Sequence, residues 1–257
     1  MAEQISKYRP DGLAESREVP LSMRAWLGGA FEVGGGIHYD IRRKTKTSKQ
    51  YPSLCLQLTD SEPIISDKLY EIFSGYTRIN YVDGNSFRWI LTGHKAVPVA
   101  TSMALFTPSR REMIDLIEEV EQVKAIDGKI NAIKQFRGSH LEGRNPVTPE
   151  DYLDLLENPE WVAGAIDLRG VIDSNRGPRL RVHTSNVPLI DAFVEIFDGE
   201  RKIWTEAGTE VEILNRNYTL KRDRAAWELR GSAVKDFCAY VTPYLLRGKV
   251  KGIEKLI

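Results

Sequence analysis

The feature that most limits what this chain can fold into is a word it spells twice. Residues 26–37 read WLGGAFEVGGGI and residues 161–172 read WVAGAIDLRGVI, a separation of 135 positions. Trp26 aligns with Trp161, Gly29 with Gly164 and Gly35 with Gly170. Far downstream, Thr107-Pro108 aligns with Thr242-Pro243 at the same offset. Anchors so far apart keep one register when a whole half has been duplicated, so the chain is expected to contain two copies of one supersecondary unit.

Each copy can be read once. LSMRAWLGGAFEV offers Ser22 as an N-cap and the glycines from Gly34 as a stop, which predicts a helix ending near Val33. GIHYDIRRK and YPSLCLQLT alternate and are rich in β-branched and aromatic residues, as strands are. PIISDKLYEIF sets Ile64, Ile65, Leu69, Ile72 and Phe73 on one helical face. YTRINYV and SFRWILT flank Asp83-Gly84-Asn85, a hairpin signal, and a helix is expected over Lys95 to Phe106. The second copy repeats the order, with strands expected near Lys202 to Thr205, Val211 to Leu214 and Trp227 to Leu229 before its last helix. The expected layout is an N-terminal arm (1–20), a first half (21–123), a polar linker (124–150) and a second half (151–257), each half α-β-β-α-β-β-α.

Composition narrows the partners little. Thirty-six basic residues balance 36 acidic ones, so attraction to nucleic acid must come from local arrangement. No apolar run is long enough to span a bilayer, and two cysteines make neither a disulfide framework nor a four-cysteine zinc site. An intracellular protein without membrane contact is expected, in the cytoplasm or an organelle. The four histidines lack zinc spacing, and no Gly-x-x-x-x-Gly-Lys phosphate loop occurs.

The repeated word has a physical meaning. Gly28 and Gly29 in one copy, with Ala163 and Gly164 in the other, give each helix a face without bulk. Such faces let two helix backbones approach closely, so these residues are the expected interface between halves about a pseudo-twofold axis. The alternative is that each small face packs on its own sheet.

LGGAFEVGG and VAGAIDLRG resemble the signature of the LAGLIDADG homing endonucleases in the glycine, the first acidic position (Glu32, Asp167) and the closing glycine (Gly35, Gly170). Double-motif members of that family also carry two α-β-β-α-β-β-α halves, so the resemblance runs over nearly the whole chain. It implies an α+β fold whose antiparallel strands form a β-saddle over double-stranded DNA. The lower ends of its two motif helices would hold metal ions at the scissile phosphates.

The departure is as informative as the match. The second acid of the motif, the metal ligand of active members, is Gly34 in one copy and Arg169 in the other. Glu32 and Asp167 lie two residues earlier, about 200° around the helix, so they point away from where the missing carboxylates would reach. Divalent-metal phosphodiester cleavage needs hard oxygen ligands, and a guanidinium holds a phosphate rather than activating water. Arg169 could also be a helix-end cation favoured by the local dipole. Lys95 stands where the family has a basic residue near its active site; its counterpart is Ser232.

A duplex-binding surface needs cations for phosphates and polar groups for base edges. Candidates on the first hairpin are His38, Asp40, Arg42, Arg43, Lys44, Lys46 and Lys49, joined by Arg78, Asn80, Arg88 and Lys95. The second copy offers Arg169, Arg176, Arg179, Arg181, His183, Lys202 and Arg216. Any half-solvated sheet alternates in this way, but matching basic clusters on the first hairpin of both copies favour DNA.

The expectation is therefore a monomer that binds double-stranded DNA, as a regulator, or structured RNA, as maturases do, with no nuclease activity, metal or cofactor. The rival is an active Mg²⁺-dependent site-specific endonuclease drawing ligands from Glu32, Asp167 or Asp173.

Overall fold

A computed structural model of the chain describes residues 19–43, 45, 48–80, 86–139, 147–174, 177–213, 216–220 and 223–255. The arm up to residue 18, Lys44, Lys46, the turn at 83–85 and Arg176 lie outside the described residues. The chain divides into two compact units, Met1–Arg24 with Gly35–Pro146, and Ala25–Gly34 with Val147–Ile257. Most of the first motif helix, α1 (Leu21–Gly34), thus belongs with the second unit. Its first turn starts at Leu21, so Ser22 sits inside the helix rather than capping it.

In the first unit the order is β1 (Gly36–Arg43), β2 (Gln50–Asp60), α2 (Pro63–Phe73), β3 (Tyr76–Asn80), β4 (Ser86–Thr92), α3 (Ala96–Ser102), α4 (Arg111–Gln122) and α5 (Ile126–Ser139). The strands form one antiparallel sheet, order β1-β2-β4-β3. Period-two alternation sends Leu54, Leu56, Leu58, Trp89 and Leu91 to a buried face on which α2, α3 and α5 pack. The helix expected over Lys95 to Phe106 is broken, with 3₁₀ turns at Gly93–Lys95 and Ala104–Phe106 on either side of α3. The segment read as a polar linker is helical as α5, where Ile130 and Ile133 are buried. Their spacing with Ile126 is a helical stripe that the surrounding polar residues obscured.

The second unit adds α6 (Glu150–Leu156), α7 (Pro159–Arg169), β5 (Gly170–Asp173), β6 (Arg179–Thr184), α8 (Val187–Phe197), β7 (Glu200–Thr205), β8 (Glu210–Ile213), β9 (Arg216–Thr219), β10 (Arg224–Arg230) and α9 (Ala233–Val241). Its sheet runs β5-β6-β10-β7, the counterpart of the first. The strand expected at Val211 to Leu214 does not join it; β8 pairs with β9 as a separate hairpin. Asn158 caps α7 by accepting from Trp161 N at 3.0 Å, with Pro159 in the first turn.

Three-dimensional correspondences confirm the duplication beyond the motif. Thr107 Oγ1 donates to Met103 O at 3.0 Å, and Thr242 Oγ1 to Cys238 O at 2.6 Å. Helix α2 ends at Ser74 (φ 61°) and Gly75 (φ 97°), and α8 ends at Asp198 (φ 57°) and Gly199 (φ 95°). Buried Trp89 on β4 donates to Ser74 O at 2.8 Å, and buried Trp227 on β10 donates to Asp198 O at 2.6 Å. In both copies an indole N–H satisfies the carbonyl that the left-handed helix end exposes. Among the described residues no helix is long and apolar enough to cross a membrane.

Candidate nucleic-acid interface

The site is built on the second unit's pair of motif helices. A Cβ placed on Gly29 would lie 1.9 Å from the carbonyl oxygen of Trp161, and one on Gly164 would lie 1.9 Å from that of Trp26. Any side chain at either position would overlap backbone, so α1 and α7 approach to a distance only glycine permits. Gly28 and Ala163 are buried beside them.

The two acids that the motif retains are buried in polar networks. Glu32, 3% exposed, accepts from Tyr152 Oη at 3.0 Å and from Asn186 Nδ2 at 3.0 Å. Asn186 also donates to Tyr152 Oη at 2.7 Å. Asp167, 1% exposed, accepts from Trp26 Nε1 at 2.9 Å, Leu246 N at 2.6 Å and Arg247 Nε at 3.1 Å. Burial raises the Asp167 pKa, opposed by the Trp26, Leu246 and Arg247 contacts. Both carboxylates tie α1 and α7 to other parts of the second unit.

At the helix ends, Arg169 lies over Gly34. A Cβ on Gly34 would stand 2.6 Å from Arg169 Nε and 2.9 Å from its Cζ, so the guanidinium fills the space that an acidic side chain at position 34 would enter. The divalent metal that the motif resemblance implies would find no carboxylate at these two positions, and the Arg169 guanidinium already stands against Gly34. Asp173 is half-buried, its carboxylate 3.6 Å from Arg181 Nη2. Lys95 is exposed in its 3₁₀ turn. Among the described residues the one group with metal-ligating geometry is His38, Asp40 and Cys55, whose ligand atoms lie within 4.8 Å of one another; there Arg42 Nη2 already takes Asp40 Oδ2 at 2.6 Å.

The sheets carry the cations. On the first, residues opposite one another in the ladder share a face, which gathers His38, Asp40, Arg42, Arg78, Arg88 and the Asn80 position with Ser53, Gln57 and Thr59. Arg88 Nε donates to Thr59 Oγ1 at 3.1 Å, Arg78 lies 5.9 Å from the Tyr76 ring centre, and His38 Nε2 is 3.6 Å from Asp40. Arg43 falls on the opposite face by alternation, and Lys49 is exposed ahead of β2. On the second sheet Arg179, Arg181, His183 and Lys202 share the face away from Leu180 and Val182. Arg216 lies in the β8–β9 hairpin, outside that sheet.

Two residues absent from the sequence expectation organise the second face. Glu228 on β10 is fully buried beneath Arg181 Nε at 2.7 Å, Lys202 Nζ at 2.8 Å and Arg230 Nε at 2.6 Å. Burial would raise its pKa, but these charged hydrogen bonds outweigh that and bring it to about 2. Trp204 on β7 meets His183 edge-on at 4.9 Å, with Arg181 Cζ 5.7 Å from its ring centre. Burial and the cations Arg181 and Arg169 lower the His183 pKa. The alternation of RAAWELR, which puts Glu228 beside Arg230 on the polar face, was the signal available for Glu228.

No protein-family model and no curated protein matches the chain. Solved structures do. LAGLIDADG homing endonuclease I-GzeII, in complex with its DNA target, is similar over 90% of this chain and 85% of its own, at 12% identity and a TM-score of 0.50. LAGLIDADG meganuclease I-AabMI, bound to uncleaved DNA, covers 86% and 83% at 12% identity and 0.50. Meganuclease I-SmaMI, bound to uncleaveable DNA, covers 86% and 84% at 10% identity and 0.51. The duplicated α+β architecture, with its two four-stranded antiparallel sheets, is the fold of the LAGLIDADG homing endonucleases.

Proposed function

We propose that this chain is a double-stranded DNA-binding protein of homing-endonuclease descent that holds its target without cutting it. The observation that carries this reading is Arg169 lying over Gly34. A guanidinium there offers forked hydrogen bonds to a phosphate and repels the divalent ion that hydrolysis requires. The cationic faces of both sheets support phosphate contact, and the neighbours of the same fold were solved on DNA. The rival, cleavage through substitute ligands, is weakened by the engagement of each candidate. Glu32 and Asp167 are buried in hydrogen-bond networks, and Asp173 faces Arg181. The protein would act as an intracellular monomer without a cofactor, as a regulator or, on structured RNA, in the manner of a maturase.

The test is to incubate the full chain with a random-sequence duplex pool in Mg²⁺, recover the bound fraction, and sequence both its fragments and any new ends. Enrichment of one site with both strands intact is expected. Defined breaks within that site would overturn the reading and return attention to Glu32, Asp167 and Asp173.

A further inference from the structure

Trp204 is 60% exposed, whereas the other four tryptophans are 2% exposed or less. It stands on β7, the edge of its sheet, yet touches Arg181 and His183 on β6, two strands away. The strand between, β10, presents Ala226 opposite both His183 and Lys202. A methyl at that point leaves the indole room to lean across the sheet.

The support beneath the indole is rigid. Arg181 is fixed by Glu228 at 2.7 Å and flanked by Asp173 at 3.6 Å, so its guanidinium stays against the ring rather than following solvent. His183 meets the indole in a T-shaped contact at 4.9 Å. What remains exposed is aromatic surface beside Arg179 and beside Lys202 and Arg230, which are paired with Glu228 and Glu200. A singly exposed apolar residue is ordinary, but this indole is held in one pose by an arginine and a histidine, which leaves it ready to meet a second aromatic ring. A partner that fits brings a π-face for the indole and an anionic group able to compete with Glu200 and Glu228 for Lys202 and Arg230, and a nucleotide brings both.

We propose that Trp204, backed by Arg181 and His183, is a stacking platform for an unpaired nucleobase. Bases in an intact duplex show only their edges in the grooves, so a π-face is available only where a base is unpaired. This inference rests on the nucleic-acid reading above and sharpens it: the target would contain a single-stranded or extruded nucleotide against the second sheet. Glu228 acts as a positioning residue through Arg181.

The experiment uses the tryptophans themselves. With four indoles buried, the red edge of the emission reports Trp204. The full chain is titrated at low salt with single strands of about 12 nucleotides, oligo(dT) and oligo(U) in separate arms, and with a paired duplex of equal length. The single strand is expected to quench the red-edge emission more strongly than the duplex. Trp204→Ala should weaken single-strand binding about tenfold and leave duplex affinity within about twofold, while Trp204→Phe keeps most of it, since a phenyl ring still stacks. Equal quenching by duplex and single strand, equal loss of both in Trp204→Ala, or no quenching by either strand would overturn the platform. The duplex arm separately reports whether the chain binds paired DNA, so the platform and the function it rests on can fail independently.

Discussion

The two sheets share strand order, the parity of their polar faces and a buried tryptophan with the same hydrogen bond, but they neutralise their cations differently. On the first sheet the acid is Asp40, on edge strand β1, half exposed and paired with Arg42 and His38. Its central strand β4 presents Arg88 to Thr59 and Arg78. On the second sheet Asp173 and Glu200 flank the cations, but the central acid is Glu228, on strand β10, fully buried and holding three cations at once. One backbone plan therefore supports two kinds of surface. The second is fixed in advance by a buried counter-ion, and the first keeps arginine side chains that can adjust to what they meet. A buried carboxylate with several partners is costly to disturb, whereas an exposed pair contributes little.

The largest effects should come where the two copies are alike. Gly29→Ala and Gly164→Ala should each destabilise by about 3 kcal/mol in denaturant unfolding, because one methyl meets a backbone carbonyl. Without that contact the same change in a helix would stabilise by up to about 1 kcal/mol, so the sign alone decides. Gly34→Ala should be far milder, since its neighbour is the end of the flexible Arg169 side chain.

Next comes the asymmetry itself. Glu228→Gln should cost about 2 kcal/mol and Asp40→Asn less than about 0.5 kcal/mol, by the same unfolding measurement. Equal losses would remove the distinction between a fixed and an adaptable face.

Acid titration sharpens the same contrast. Glu228 has a folded pKa of about 2 against an ordinary 4.5, so its contribution is complete above pH 4.5 and is lost as pH falls toward 2. Thermal melts across that window should drop more steeply for the wild type than for Glu228→Gln. Parallel curves would mean that other carboxylates govern acid unfolding.

The smallest effect concerns binding. Arg78→Ala should lower the dependence of duplex affinity on salt by about one unit of log–log slope. Arg230→Ala should lower it by less, because a phosphate must compete with Glu228 for that guanidinium. Fluorescence anisotropy over a salt series separates the two.

Much of this was legible in the sequence for a definite reason. The 135-residue register and the strand alternation of IHYDIRR and RLRVH are local patterns that periodicity reports directly, and the residues at positions 34 and 169, Gly and Arg, are read straight off the repeat. The Trp89 and Trp227 correspondence escaped because their separation and that of their partners Ser74 and Asp198 differ from 135, loops having changed length between copies. Helix α5 escaped because its buried isoleucines are outnumbered by polar residues.

The sequence by itself determined the duplication, the α+β class and the chemical identity of the motif positions, since each follows from residue type and spacing along one dimension. Only the tertiary structure decided that Gly29 and Gly164 face carbonyls rather than a sheet, that Arg169 covers Gly34, that Glu32 and Asp167 are consumed by internal hydrogen bonds, and that Glu228 and Trp204 converge on Arg181. Those are contacts between residues up to 154 positions apart, as between Glu32 and Asn186. Their energies depend on distances that close only when the chain has packed, and no local pattern records them.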